Sequence, residues 1–380
     1  MDLRFSEEDD AFRAEVRAWM AEHVPRKPLP SGDTAEGFAL HVEWEKALFA
    51  GGWSAVSWPK AYGGREASLV QWLIFEEEYY RAGAPARVTQ NGIFLLAPTI
   101  FEFGTEEQKA RILRPMAAAE HLWGQAWSEP DAGSDLASVQ CTAARADGGW
   151  RLSGQKTWCT RGMFCDSVYG LFRTDPDAAR PHKGLTYFMI PLDAPGVRCR
   201  GVERLDGDLS FAEIFLEDVF VPDTDVIGEV NRGWYVAMAT TSSERGLTLR
   251  SPGRFTAAVT RLVELYRSNP GDPGLRDEIV RSWIKAQSYR WLSYNTVARM
   301  SAGSSIGAES SLSKVYWSEL DIELHRTAMA LLGPLGELED GADGRWIKDY
   351  LFSLAGSIYA GTNEIQRNVI AERLLGLPRK

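Results

Sequence analysis

GQAWSEPDAGSDLAS, Gly124–Ser138, falls where the hydrophobic period of this 380-residue chain changes. Before it, apolar residues recur at the three- and four-residue spacing of helices; after it, they alternate as in strands. Working towards the N-terminus, SEEDDAFRAEVRAWMAEHVP predicts a helix. Ser6 and Asp9 form its capping box, Phe12, Val16 and Trp19 its apolar face, and Pro25 its stop. HVEWEKALFAGGW and SLVQWLIFEEEYYRAGAP continue in that style, separated by the loop WPKAYGG, and TEEQKARILRPMAAAEH is a short helix opened by Thr105.

Towards the C-terminus, TAARADGGWRLSGQKTW sets a Gly-Gly turn between alternating runs, and VYGLFRT, GLTYFMIPL and AEIFLEDVFVP also read as strands. These predict a small antiparallel β-barrel or sandwich. Helical patterning then returns: one long helix through SSERGLTLRSPGRFTAAVTRLVELYRS, then LRDEIVRSWIKAQSYRWLSYNTVARM and SSLSKVYWSELDIELHRTAMALLG. With the final helix these make a four-helix bundle. The expected class is α+β: helical residues 1–123, a β domain 124–228 and a helical bundle 229–380. No phosphate-binding Gly-rich motif follows a strand, which argues against a doubly wound nucleotide fold.

Composition narrows the function. Apolar residues are 44% and charged residues 25%, ordinary globular values. The 42 basic and 52 acidic residues leave a net charge of −10, which argues against nucleic acid as partner. The acidic N-terminus resembles neither signal nor transit peptide, and no apolar run approaches a membrane span. Four cysteines without CxxC spacing read as reduced thiols in a cytoplasmic protein. Five scattered histidines lack metal-ligand spacing, so no metal site is expected.

Three strings carry chemistry. In the first, Ser128, Gly133 and Ser134 place hydroxyls and an unhindered amide in one tight loop, suited to a pyrophosphate or a flavin edge, or to an ordinary turn. In the second, SGQKTWCTRG, a strand directs Trp158 and Thr160 to one face and Cys159 to the other; an indole beside a hydroxyl suits a planar ring, and equally a core. The third, SIYAGTNEIQRN, leads a Gly into a helix capped by Thr362 or Asn363, with Ile365 and Val369/Ile370 as its apolar spacing and Gly376 and Pro378 as its end. Such a turn can offer free backbone N–H groups to an anion or a carbonyl.

The α–β–α order, the early Pro-x-x-Tyr-Gly-Gly, the Ser-Glu-x-x-Ala-Gly-Ser-Asp string, the Trp-x-Thr strand and YAGTNEIQR together resemble the acyl-CoA dehydrogenase family over essentially the whole chain. Trp127 stands where the family's first motif has an aliphatic residue. The resemblance implies FAD and an acyl-CoA or acyl-carrier thioester, with hydrogens removed from the α and β carbons. It implies that Gln125, Ser128, Gly133, Ser134, Trp158, Thr160, Thr362 and Glu364 bind the cofactor, and that Ser134, Arg245 and Ala360 contact substrate. Many members carry their base just before the Gly-Thr pair, where this chain has Ala360. Members similar to isovaleryl-CoA dehydrogenase place it on a bundle helix, at the position of Glu244 in TTSSERGL.

Two family features are absent. An Arg-x-x-Phe-Gly segment that reaches a neighbouring subunit's FAD is replaced by NPGDPGLRDEIV, where Pro270, Gly271, Pro273 and Gly274 form a turn. The usual Gly-Gly-x-Gly loop is LGPLGE. The expected partners are therefore an electron-transfer flavoprotein as acceptor and either a homo-oligomer, dimer or tetramer, or a hetero-oligomer with a related chain. The alternatives are a flavin oxidase or monooxygenase on the same fold, and a supporting subunit.

Overall fold

In a computed structural model, the described residues are 4–245, 251–268, 273–304, 307–338 and 344–379, without the side chains of 242–245. The chain divides into two compact units. One combines Lys27–Glu66 with Pro85–Glu244; the other combines Met1–Arg26, Ala67–Ala84 and Arg245–Lys380.

The first unit is built on an eight-stranded sheet. Its strands are β1 (Trp123–Gln125), β2 (Thr142–Ala146), β3 (Gly149–Thr160), β4 (Ser167–Arg173), β5 (Leu185–Pro191), β6 (Val197–Val202), β7 (Phe211–Pro222) and β8 (Val226–Ile227). Their order is β6-β7-β3-β2-β4-β5-β8, with β1 beside β4. The β2–β3 hairpin turns at Asp147 and Gly148, whose φ of +67° is the left-handed value that such a tight turn favours in glycine. Ile190 of β5 and Leu216 of β7 share one core with Trp150 and Leu152, so the sheet curls around a single interior. The expected all-antiparallel pairing holds except at β1–β4 and β2–β4, which are parallel. The β2–β3 hairpin separates both pairs, so no tight turn forces them antiparallel.

Helices α2 (Ala35–Ala50), α4 (Ala97–Phe103), α5 (Glu106–Ala117) and α6 (Gly233–Arg245) belong to this unit. Thr105 caps α5 in a full capping box with Gln108. Glu45 of α2 is fully buried, accepting from Arg87 Nε at 2.7 Å and from the Val88 amide at 2.9 Å. Burial pushes the Cys141 and Cys165 thiols up to about 12, which keeps both protonated and unreactive at neutral pH.

The second unit is helical: α1 (Glu7–His23), α3 (Leu69–Arg81), α7 (Pro252–Ser268), α8 (Pro273–Ser301), α9 (Glu309–Leu332), α10 (Gly344–Ala355) and α11 (Asn363–Val369). Ser6 and Asp9 make the expected capping box of α1. α1 packs on α3, and α3 packs on α7 and α8. Ion pairs reinforce these contacts: Arg13 reaches Glu77 and Glu78 from α1, and Arg290 reaches Glu77 from α8. Phe255, Leu262, Tyr289, Trp317, Leu324 and Trp346 interlock in the core of α7 to α10.

Two expectations need correction. The single helix expected through Ser242–Ser268 is interrupted, because Ser251 is not helical and α7 starts at Pro252, while residues 246–250 lie outside the described residues. Proline cannot donate within a helix but suits its first position, and the Ser251 hydroxyl accepts from the Gly253 amide. The bundle's fourth long helix is α10 rather than the final one, since α11 has only seven residues and packs on α9. Of the expected turn at Pro270–Gly274, residues 269–272 lie outside the described residues, and α8 begins at Pro273.

Candidate active site

In the first unit the site residues sit on two neighbouring stretches. Strand β1 and its extension place Ala126 in the sheet core and Gln125 and Trp127 on the opposite side. The chain then folds back in a tight loop, with Glu129 and Ala132 exchanging both backbone hydrogen bonds. Gly133 and Ser134 lie exposed on this loop, and a Cβ at Gly133 would meet open space. Ser128 is half-buried, and its carbonyl accepts from the Thr157 amide at 2.8 Å.

Beneath the loop lies a strut that the sequence reading missed. Lys156 is fully buried, with Nζ donating to Glu129 Oε1 at 2.8 Å and to the Leu171 carbonyl at 2.7 Å. Glu129 also accepts from the amides of Gln140 and Cys141. Burial works to raise the Glu129 pKa, but the Lys156 ammonium and these donors outweigh it and hold the carboxyl below its ordinary value. Both residues lay inside the strings singled out from sequence. The signal was an Asp/Glu and a Lys within otherwise small or apolar runs.

Trp158 and Thr160 emerge on one face as expected, with Cys159 fully buried on the other. Trp158 is 60% exposed and meets Phe211 edge-on. The route is not simple alternation. The β3–β7 register shifts between Lys156 and Cys159, and Trp158 adopts φ +57°, Arg161 φ +54°. A left-handed residue with a Cβ costs about 1–2 kcal/mol, so the surrounding contacts must hold this bulge in place. Asn91 Nδ2 helps by donating to the Thr160 carbonyl.

Glu244 and Arg245 are the last described residues of α6, and their side chains lie outside the described residues. The helix itself is fixed by buried Thr240, whose hydroxyl meets that of Thr99 at 2.7 Å.

In the second unit the turn after α10 carries Ala360 at φ +56° and Gly361 at φ +77°. Their carbonyls are occupied: Gln366 Nε2 donates to both, at 3.0 and 3.3 Å, while Ser311 Oγ holds Gln366 Oε1. Lys314 and Ser318 of α9 grip Asn363. Thr362 is the N-cap of α11, accepting from the Ile365 amide. The N–H groups of Ala360, Gly361 and Thr362 make no hydrogen bond to the described residues. Glu364 is 78% exposed. The anchors Gln366, Asn363 and Lys314 were not legible as a site, since their partners lie 45 to 55 residues away.

An acceptor-rich planar cofactor fits the first unit's residues. Gln125 Nε2 and Trp127 Nε1 are buried donors on alternate residues of one extended segment, with no acceptor among the described residues. Unsatisfied buried donors are rare, and two together point to a ligand.

Comparison with known proteins is specific. The family descriptions for the acyl-CoA dehydrogenase N-terminal, middle and C-terminal domains match residues 6–120, 124–219 and 231–375. Acyl-CoA dehydrogenase IpdE1 of Mycolicibacterium smegmatis is 39% identical, covering 97% of this chain and 98% of the relative; IpdE1 of Mycobacterium tuberculosis is 38% identical, covering 98% of both. Among solved structures, the Tcur3481-Tcur3483 steroid ACAD aligns at TM-score 0.90 and 28% identity over all of both chains. The ChsE4-ChsE5 complex from Mycobacterium tuberculosis aligns at 0.85 and 28% over the same extent. The chain belongs to the acyl-CoA dehydrogenase family and is an FAD-dependent oxidoreductase. Among the described residues no helix is long and apolar enough to cross a membrane.

Proposed function

We propose that this protein desaturates an acyl-CoA thioester between its α and β carbons, with Glu244 removing the α-proton. The observation that supports the reading is the Ala360 turn: it offers three amide donors unpaired among the described residues, and no carboxylate of its own. An α-hydrogen of a thioester is too weakly acidic for an ordinary carboxylate unless the developing enolate oxygen is stabilised. The Ala360 N–H supplies a fixed donor for that oxygen, held in place by the Gln366 clamp on the neighbouring carbonyls. With no acid at position 360, the base must come from elsewhere, and Glu244 stands where helix-borne bases stand in the family. FAD supplies the hydride acceptor for the β carbon. Gln125, Ser128, Gly133, Ser134, Trp158, Thr160, Thr362 and Glu364 are proposed to hold it, with Ser134 and Arg245 on the substrate.

One structural relative is named for steroids, so fused-ring acyl thioesters head the proposed substrates. The proposed electron acceptor is an electron-transfer flavoprotein of the cytoplasm. We also propose assembly with a related chain. The missing Arg-x-x-Phe-Gly segment supports it, as do two relatives named as pairs of chains. So does the exposed side of α8, where Val280, Trp283, Ile284 and Trp291 face solvent.

The test is anaerobic bleaching of bound flavin by a panel of acyl-CoA thioesters, in wild type and Glu244→Gln. The variant should retain FAD and substrate binding and reduce its flavin about 10²–10⁴-fold more slowly, the range a general base supplies. Full-rate reduction would remove Glu244 from the role.

A further inference from the structure

Asp33 lies in the loop before α2, outside every motif, and is 6% exposed. Its carboxylate gathers three partners from two other segments, the end of β3 and the connection between β6 and β7. Oδ1 accepts from Arg161 Nε at 2.7 Å, Oδ2 accepts from Ser210 Oγ at 2.7 Å, and Arg204 Nη1 lies 3.0 Å from Oδ2. Arg204 is itself paired with Asp206 and Asp208, and Ser31 donates to Asp208. Burial works to raise the Asp33 pKa; Arg161, Ser210 and Arg204 more than reverse it, so the group stays ionised.

Two of these three contacts lie just beyond the strained bulge, at Arg161 and Ser210, which flank the two pairs where β3 and β7 regain register. Arg161 follows Thr160 directly and is one of the two left-handed residues that close the stretch from Trp158. Its amide donates to the Ser210 carbonyl at 2.8 Å, so Asp33 holds both ends of that link. Strands β3 and β7 regain register only at Cys159 opposite Ala212 and Thr160 opposite Phe211. If that link were loosened, the segment would relax towards regular pairing, and a slip of one residue sends a side chain to the other face.

We propose that Asp33 is a positioning residue for the flavin face: by gripping Arg161 and Ser210 it locks the bulge that turns Trp158 outward and fixes Thr160. This rests on the proposal that Trp158 and Thr160 contact the flavin. No charge on Asp33 touches substrate or cofactor; its effect passes through Arg161.

The experiment uses FAD-loaded protein carrying Asp33→Asn, Arg161→Gln, both together, or Trp158→Ala. Visible circular dichroism of the flavin, anaerobic flavin-reduction rate and KM are measured for each. Each of the first two should alter the flavin dichroism and slow reduction about ten-fold with KM unchanged, as misplacement from outside the chemistry does. Their combination should be no worse than either alone, since both break one link. Wild-type dichroism and rate in Asp33→Asn, or additive losses in the double variant, would overturn the proposal. Should Asp33→Asn fail to fold, Arg161→Gln decides alone, and an unaltered flavin signal there also overturns it. Trp158→Ala separates the two layers. Unchanged dichroism in that variant removes the flavin contact itself; a change there without one in Asp33→Asn removes only the role of Asp33.

Discussion

Replacing Lys156 with Met should leave a side chain of similar length but remove the ammonium from the strut under the Ser128–Ser134 loop. At the observed 2.8 Å from Glu129, the Coulomb attraction is ~6 kcal/mol for an effective dielectric of ~20. Desolvating two ions offsets much of that in the intact pair, but losing one partner strands the other. Glu129, 7% exposed, would keep two amide donors and lose its counter-charge, and the Leu171 carbonyl would lose its donor. The expected loss is about 3–5 kcal/mol, the range for breaking a buried pair. Set against a domain stability of about 5–15 kcal/mol, that leaves the β unit marginal. Urea unfolding followed by tryptophan emission measures it, with Glu129→Gln as the companion. A loss below about 1 kcal/mol, the worth of an exposed pair, would refute the reasoning.

The same strut fixes a sign for pH. The Glu129 carboxyl has a folded value below its ordinary 4.5, so the folded protein binds fewer protons than the unfolded chain. Its contribution is whole above 4.5 and is lost as pH falls through the lowered folded value. Wild type should therefore lose stability more steeply than Lys156→Met on acidification below 4.5, and parallel curves would contradict the assignment. Trp158→Ala should lower FAD occupancy and shift the flavin absorbance; an unchanged spectrum would return Trp158 to an exposed aromatic with no cofactor role. Gln366→Leu strips the donor from the carbonyls of Ala360 and Gly361, and should cost about 1–3 kcal/mol of local stability. It should lower kcat more than it raises KM, and a pure KM effect would detach the turn from the enolate. For assembly, solution mass and FAD per chain of the protein expressed alone decide: one FAD per chain in a homo-oligomer rules out a required partner.

What the sequence revealed was local or strongly periodic. The Ser6 box, the helix start at Thr105 and a cap at Thr362 or Asn363 were legible because each cap and its partner lie three residues apart. Strand β6 was not, because the alternation in VRCRGV is short and rests on small or weakly apolar residues, Cys199 and Gly201, between exposed arginines at 198 and 200. Helix α10 escaped because its polar opening, Gly-Arg, follows directly on the acidic stretch after α9 and hides the start of its apolar face. Within the site, Trp158 and Thr160 were placed on the correct face through strand alternation, yet the bulge that delivers them was invisible. A left-handed tryptophan has no sequence signature, and its support comes from Asp33 and Asn91, more than sixty residues away. The Lys156–Glu129 pair, 27 residues apart, was hidden for the same reason.

The helical unit is assembled from three stretches of chain, the first ending at Arg26 and the last beginning at Arg245. During synthesis, α1 and α3 leave the ribosome carrying apolar faces that include Phe12, Val16, Trp72 and Phe75. The α7 surface that α3 packs against starts only at Pro252. At translation rates of about 5–20 residues per second, α3 waits roughly 10–35 s for that surface to exist. The sheet itself, whose strands all lie between Trp123 and Ile227, can close in the meantime. A nascent chain stalled just before α7 emerges would thus carry a finished sheet and two orphaned helices. Proteins cut anywhere before α7 inherit the same exposed helices permanently.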